Sequence, residues 1–147
     1  MPELHFETTI NRPADDIFKL IADLPHYDKW LPPSSLYGNT TQYSGMPIER
    51  GTTYVDQGKL TRMEGRITEF DPPRRIHFRQ TTVSMLGALD IEIRYTLYSE
   101  GSGTQVKRVV EVRHTGFYGL IQGRLLGSIR TESERILAVM KAYLEKK

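Results

Sequence analysis

Apolar residues recur at every second position through much of this chain and at every third or fourth position near its C-terminal end. Leu4, Phe6, Thr8 and Ile10 fall on one side of an extended segment, with His5, Glu7 and Thr9 on the other. That alternation predicts a strand over 4–10 with one buried face. Asn11-Arg12-Pro13-Ala14-Asp15-Asp16 then opens a helix. Proline suits a first helical position, and two carboxylates suit the positive end of the helix dipole. Ile17, Phe18, Leu20 and Ile21 form its apolar stripe, and Pro25 ends it. A second short helical turn is expected to reach Trp30 before Pro32-Pro33 stops it.

From Ser35 to Thr115 the period of two returns. Turn signals at Gly45-Met46-Pro47, Gly58, Asp71-Pro72-Pro73, Gly87 and Gly101-Ser102-Gly103 divide the stretch into strands over 36–43, 52–57, 60–70, 75–83, 89–98 and 104–114. Three of them alternate clearly: Ile76, Phe78 and Gln80 share a face, as do Leu89, Ile91, Ile93, Tyr95 and Leu97, and as do Val106, Arg108, Val110, Val112 and His114. Short turns imply antiparallel neighbours. No proline interrupts the chain from Phe117 to about Lys146, which predicts one helix of about 45 Å at ~1.5 Å per residue. Steps of 100° gather Tyr118, Ile121, Leu125, Ile129, Ile136, Val139, Met140 and Tyr143 on one side. Gly119, Gly123, Gly127, Arg130, Glu134 and Lys141 fall on the other. One architecture buries every stripe: an α+β domain over 1–147, in which a seven-stranded antiparallel sheet curves around the long C-terminal helix and two short helices follow strand 1.

Composition narrows the chemistry. The 147 residues hold no cysteine, which excludes disulfides, thiolate metal sites and a cysteine nucleophile. Twenty basic and eighteen acidic residues leave a net charge of only +2, with no basic stripe of the kind that grips nucleic acid. No apolar run approaches the ~20 residues of a membrane span, and the N-terminus lacks the basic start and apolar core of a signal peptide. The expected setting is cytoplasmic. There is no Gly-x-Ser-x-Gly elbow, no His-Glu-x-x-His and no dinucleotide fingerprint. His5, His26, His77 and His114 stand in separate elements without an acidic partner at ligand spacing. No metal and no cofactor is expected.

The informative polar residues are those on apolar faces. Arg108 shares a strand face with three valines, and Glu132 falls within the apolar arc of the long helix between Ile129 and Ile136. Charged groups are rarely buried unpaired. Counting back from the turn near Thr115, Arg108 lies about 23 Å along its strand, and the same distance down the helix is about fifteen residues, at Glu132. The two are expected to face each other, either as a structural ion pair or as a polar anchor for a ligand's carbonyl, hydroxyl or carboxylate. His114, expected beside Tyr118 and the start of the long helix, is a candidate general base or a plain strand end. Tyr95 is a candidate pocket hydroxyl or core residue. Trp30, Tyr27, Phe18 and Leu31 read as packing for the short helices, Gly119, Gly123 and Gly127 as a mobile helix start, and Arg75, His77 and Arg79 as the solvated face of their strand.

Two blocks of text carry a family resemblance. The first is Asn11-Arg12-Pro13-Ala14-Asp15-Asp16-Ile17-Phe18 followed by Asp23-Leu24-Pro25-His26-Tyr27-Asp28-Lys29-Trp30-Leu31-Pro32. The second is Gly51-Thr52-Thr53-Tyr54 with Gly65-Arg66-Ile67-Thr68-Glu69-Phe70-Asp71-Pro72-Pro73-Arg74-Arg75-Ile76. Over essentially the whole chain the sequence resembles the polyketide cyclase/dehydrase and lipid-transport superfamily (SRPBCC), the START-related helix-grip fold shared with the birch-pollen allergen. The resemblance implies a cavity between sheet and helix for a hydrophobic small molecule such as a lipid, quinone or polyketide. The expected lining is Phe78, Met85, Ile91, Ile93, Tyr95, Val110, Val112, Tyr118, Leu125 and Ile129, with Arg108, His114 and Glu132 as polar points. His114 and Tyr95 are the catalytic candidates if the protein is instead a cyclase or dehydrase. A protein-interaction module of the ribosome-associating toxin type is a further alternative. The expected assembly is a monomer or a weak homodimer.

Overall fold

The computed structural model describes residues 2–34, 38–58 and 62–146. Strand β1 (Glu3–Ile10) leads into α1 (Ala14–Ala22) and a 3-10 helix (Leu24–Lys29). Then come β2 (Asn39–Thr41), β3 (Thr53–Gln57), β4 (Arg62–Asp71), β5 (Arg75–Ser84), β6 (Gly87–Glu100) and β7 (Gly103–His114). A second 3-10 helix (Gly116–Ile121) precedes α2 (Gln122–Glu145). The predicted strand starts at 36–37 and 60–61 lie outside the described residues.

All seven strands join one antiparallel sheet in the order β1-β7-β6-β5-β4-β3-β2. From β2 to β7 each strand lies beside its neighbour in sequence. The exception is β1, which pairs with β7, so α1 and the first 3-10 helix carry the chain from one edge of the sheet to the other. A register shift in β4 between Ile67 and Glu69 marks a bulge, which bends the strand and strengthens its twist. The sheet thereby curls around α2, and the predicted α+β architecture holds.

Two apolar clusters pack the concave side. One gathers Ile17 and Ile21 of α1, Ile76, Tyr95 and Leu97 of the sheet, and Leu137, Met140 and Leu144 of α2. The other gathers Leu4, Val110 and Val112 with Tyr118 and Ile129. The alternation predicted for β7 is the one observed, with Val106, Arg108, Val110 and Val112 all buried. On the convex side Arg79 pairs with Asp90, and Arg94 with Glu3, Glu92 and Glu111. Exposed pairs of this kind add little to stability.

The C-terminal helix departs from expectation in its start and in its buried face. Residues 116–121 form a 3-10 helix because the tip of the β5–β6 hairpin holds them. Phe117 N–H donates to Leu86 O at 2.7 Å, Thr115 N–H to Ala88 O at 3.0 Å, and Gly116 adopts φ +67°. A Cβ on Gly87 would stand 2.2 Å from Thr115 O, so the close approach of these segments requires glycine there. The buried stripe of α2 is Ile129, Ser133, Leu137, Met140 and Leu144. Ile136, Val139 and Tyr143, expected on the buried face, are half-buried at its flank, and Ile121 is exposed. A serine at the centre of the stripe is what hydropathy misplaces. Met85 is 97% exposed and stands in solvent, because Ser84 pairs with Gly87 and leaves Met85 and Leu86 as the two-residue hairpin tip. Gly123 and Gly127 face open space.

Gly65 sets the position of one wall. It lies in register with Tyr54 on β3 and Gln80 on β5, and a Cβ there would come within 2.2 Å of the Tyr54 ring. The missing side chain lets that ring lie across β4 towards Gln80. Gly65→Ala is expected to destabilise the fold by about 1–3 kcal/mol through overpacking. Urea unfolding measures this, and unchanged stability would contradict the packing of Tyr54 over Gly65.

Candidate ligand-binding site

Between the two clusters a cavity of about 180 Å³ remains, lined from the sheet and from α2. One water needs only ~10–15 Å³, so the space is large enough for a small organic molecule. Most of the wall is apolar. Phe78, Leu89, Ile91, Ile93 and Val110 form it from the sheet, Leu125, Ile129 and Ile136 from α2, and Leu24, Tyr27 and Leu31 from the first 3-10 helix and the chain after it. The polar groups fall into three sets.

The first set is built on Arg108. Strand register places it directly opposite Tyr95, and its side chain is 6% exposed. Its Nη1 donates to the Tyr95 hydroxyl, its Nε donates to Ser133 Oγ at 3.1 Å, and the guanidinium carbon lies 5.3 Å from the centre of the Tyr95 ring. Among the described residues no carboxylate lies within ion-pair distance of Arg108, and Nη2 has no partner. The expected ion pair with Glu132 is therefore absent. Glu132 does line the cavity, but its carboxylate is held by Arg135 (Nε to Oε1, 2.9 Å; Nη2 to Oε2, 3.0 Å) and by the Ser34 hydroxyl at 3.0 Å. Counting along the axis falls one residue short. The helix residue that meets Arg108 is Ser133, and one residue is a 100° turn. Arg135 is one turn from Glu132 on the same helix and reaches it more readily.

The second set stands on β2, β3 and β5. Tyr54 and Asp56 are two apart on β3 and so face the same side. Gln80 Nε2 donates to both, at 3.1 Å to the Tyr54 hydroxyl and 2.7 Å to Asp56 Oδ2. Thr40, opposite Asp56 in register, donates its hydroxyl to Oδ1 at 2.7 Å. Withdrawal from water pushes the Asp56 carboxyl up to about 6, against the opposing effect of those two hydrogen bonds. Burial, then the neighbouring Asp56 charge, raises the Tyr54 phenol above its ordinary range. Sequence reading placed Gln80 on the correct face but missed Tyr54 and Asp56, although their alternation carries the signal. Val55 between them is also buried, which hides the polarity of the two faces. Glu132 with Arg135 is the third set.

The remaining candidates sit elsewhere. Val112 and Tyr118 are buried in the second cluster and do not line the cavity, and the Tyr118 hydroxyl lies 3.4 Å from Ser84 Oγ. His114 lies off the wall beside the start of α2, where Nε2 meets Gln122 Oε1 at 2.9 Å. Trp30 is buried edge-on against Tyr27, 5.2 Å between centres, and its Nε1 has no partner among the described residues. Among the described residues no group of three or more His, Cys, Asp or Glu could hold a metal ion, and no helix is long and apolar enough to cross a membrane.

Asp56 gives the fold a pH signature. Its folded value of about 6 lies above the ordinary 3.8. Its stabilising contribution is therefore complete below pH ~4 and is lost as pH rises through ~6, about 3 kcal/mol in all. Asp56→Asn is spared that loss. The stability of Asp56→Asn relative to the parent should rise by about 2 kcal/mol between pH 4 and pH 7 in urea unfolding. A constant difference would show that the carboxylate is not withdrawn from water.

A family model described as polyketide cyclase / dehydrase and lipid transport matches residues 1–145. No curated protein matches the sequence. Among solved structures, protein MLL2253 from Mesorhizobium loti superposes with a TM-score of 0.79 at 10% identity, over 99% of this chain and 98% of that one. The structure of Ara h 8.0201 gives 0.78 at 14% identity over 99% of both chains. The di-domain ARO/CYC BexL from the BE-7585A biosynthetic pathway gives 0.75 at 20% identity, over 99% of this chain and 47% of that one. At such identities the likeness is one of fold, the helix-grip arrangement of a curved antiparallel sheet around a long C-terminal helix. Because that family model matches nearly the whole chain, the chain belongs to the polyketide cyclase / dehydrase and lipid transport family.

Proposed function

We propose that this protein binds and carries a hydrophobic small molecule, of the lipid, quinone or polyketide kind, in the cavity between sheet and α2, with Arg108 holding an oxygen of that molecule. The observation that carries this reading is a guanidinium buried at an apolar cavity with no carboxylate beside it among the described residues. A buried charge is costly unless it is paired and hydrogen-bonded. Tyr95 and Ser133 satisfy part of it. A carbonyl, hydroxyl or carboxylate on the ligand would satisfy the rest, while the apolar walls supply affinity. Membership of a family described by both cyclisation and lipid transport supports the same general class of ligand.

One observation favours a second reading, a cyclase- or dehydrase-type enzyme: Asp56, on the cavity wall, titrates near the range useful to a general acid or base. Of the two catalytic candidates from sequence, His114 lies off the wall and the Tyr95 hydroxyl is engaged by Arg108. Turnover of a bound ligand, lost in Asp56→Asn while affinity persists, would separate the enzyme from the carrier.

The anionic fluorophore 1-anilinonaphthalene-8-sulfonate tests the binding reading. It should bind one to one with enhanced emission. Val110→Phe, which fills the cavity, should abolish binding, and Arg108→Met should weaken it about tenfold or more, the worth of a charge-assisted hydrogen bond. Both variants should keep a cooperative melt. Undiminished binding in both would overturn the reading.

A further inference from the structure

We infer that Tyr54 and Asp56 form a second polar subsite that takes a ligand hydroxyl, so that the bound molecule is an apolar body with an oxygen acceptor at one end and a hydroxyl at the other. This rests on the reading of the cavity as a binding site and specifies what it selects.

The hydrogen bonds among Tyr54, Asp56, Gln80 and Thr40 leave the Tyr54 proton and acceptor sites on Asp56 unused among the described residues. Both hydrogens of the Gln80 amide are committed, to the Tyr54 oxygen and to Asp56 Oδ2. The Tyr54 oxygen therefore acts as an acceptor, and its own proton has no acceptor among the described residues. Tyr54 is only 2% exposed, so bulk water does not serve it, and it lines the cavity. Asp56 accepts one bond on each oxygen, from Thr40 and from Gln80, and a carboxylate has about four lone-pair sites. An O–H donor and a carboxylate acceptor are thus held side by side by the same amide.

Few groups answer both. A carbonyl can accept from Tyr54 but has nothing to give Asp56. A carboxylate would be repelled by Asp56, and a protonated amine cannot accept from Tyr54. An alcohol, enol or phenol hydroxyl does both, accepting from Tyr54 and donating to Asp56. Gly65 makes the arrangement possible, since a side chain there would displace the Tyr54 ring.

The spacing to the Arg108 site sets the shape of the ligand. The Phe78 ring stands edge-on between the two sites, 6.1 Å from the Tyr54 ring and 6.3 Å from the Tyr95 ring, with interplanar angles of 85° and 88°. A tyrosine from each polar point thus packs against the same aromatic ring on the cavity wall. A flat, ring-containing molecule lying over Phe78 would reach both, with its acceptor at Arg108 and its hydroxyl at Tyr54 and Asp56.

Isothermal titration of the intact protein with two probes tests this. One is 2-acetylnaphthalene, which offers only the acceptor. The other is 6-acetyl-2-naphthol, which adds a hydroxyl at the far end. The naphthol should bind about tenfold more tightly. That advantage should shrink to threefold or less in Tyr54→Phe, which keeps the ring, and in Asp56→Asn, while 2-acetylnaphthalene keeps its affinity in both. Equal affinity of the two probes for the parent protein, or an advantage that survives in both variants, would overturn the subsite and leave the cavity reading intact. Failure of both probes to bind the parent protein would overturn the cavity reading and the subsite together.

Discussion

The bond between Arg108 and Ser133 ties the middle of the sheet to the middle of α2, and it does so inside an apolar space. Its consequences run in both directions. The serine fixes the rotation of α2, with Leu137, Met140 and Leu144 continuing the same stripe into the first cluster. On the sheet, cross-strand register gives Arg108 the Tyr95 hydroxyl as a second partner. Two neutral oxygens orient the guanidinium without neutralising it. A helix-grip domain built only for stability would place an aliphatic residue here, since well-packed apolar groups commonly equal or exceed a buried charge in stability.

The cavity follows from how the sheet meets its helix. Apolar contacts at one end hold α1 and the last turns of α2, and at the other end they hold Ile129 and the second 3-10 helix. Between them Arg108 bridges to Ser133, and the largely apolar side chains around that bond leave the cavity open. The polar groups on its wall are positioned by strand register and are not carried on loops. Tyr95 and Arg108 are direct cross-strand partners, as are Thr40 and Asp56, while Tyr54, Gly65 and Gln80 form a row across three strands. Sites built this way change little when the surrounding turns move.

Much of this was legible in the sequence. Alternation alone placed β1, β5, β6 and β7 and their inward faces, because each strand has one dry side and the period of two is unforgiving. It also placed Arg108 inside. The partner of Arg108 was misjudged because helical phase changes by 100° per residue, so an axial estimate good to one residue still points to the wrong side of the helix. Met85 is illegible for a different reason: a two-residue hairpin tip leaves an apolar side chain in solvent, and hydropathy carries no record of that. Asp56 and Tyr54 were missed because β3 is short and Val55 is buried on its other side, so no contrast between faces marks them. The start of α2 was set too early because a long-range contact with the β5–β6 hairpin overrides local helix-forming text.

If the space under Arg108 is built for a molecule, freshly purified protein should carry one. Native mass spectrometry should then show a population heavier than the 16.9 kDa chain by a single small organic molecule, which collisional activation releases to leave the bare chain. Only the bare chain, with no bound species even under the gentlest desolvation and no uptake when hydrophobic extracts are added back, would contradict it.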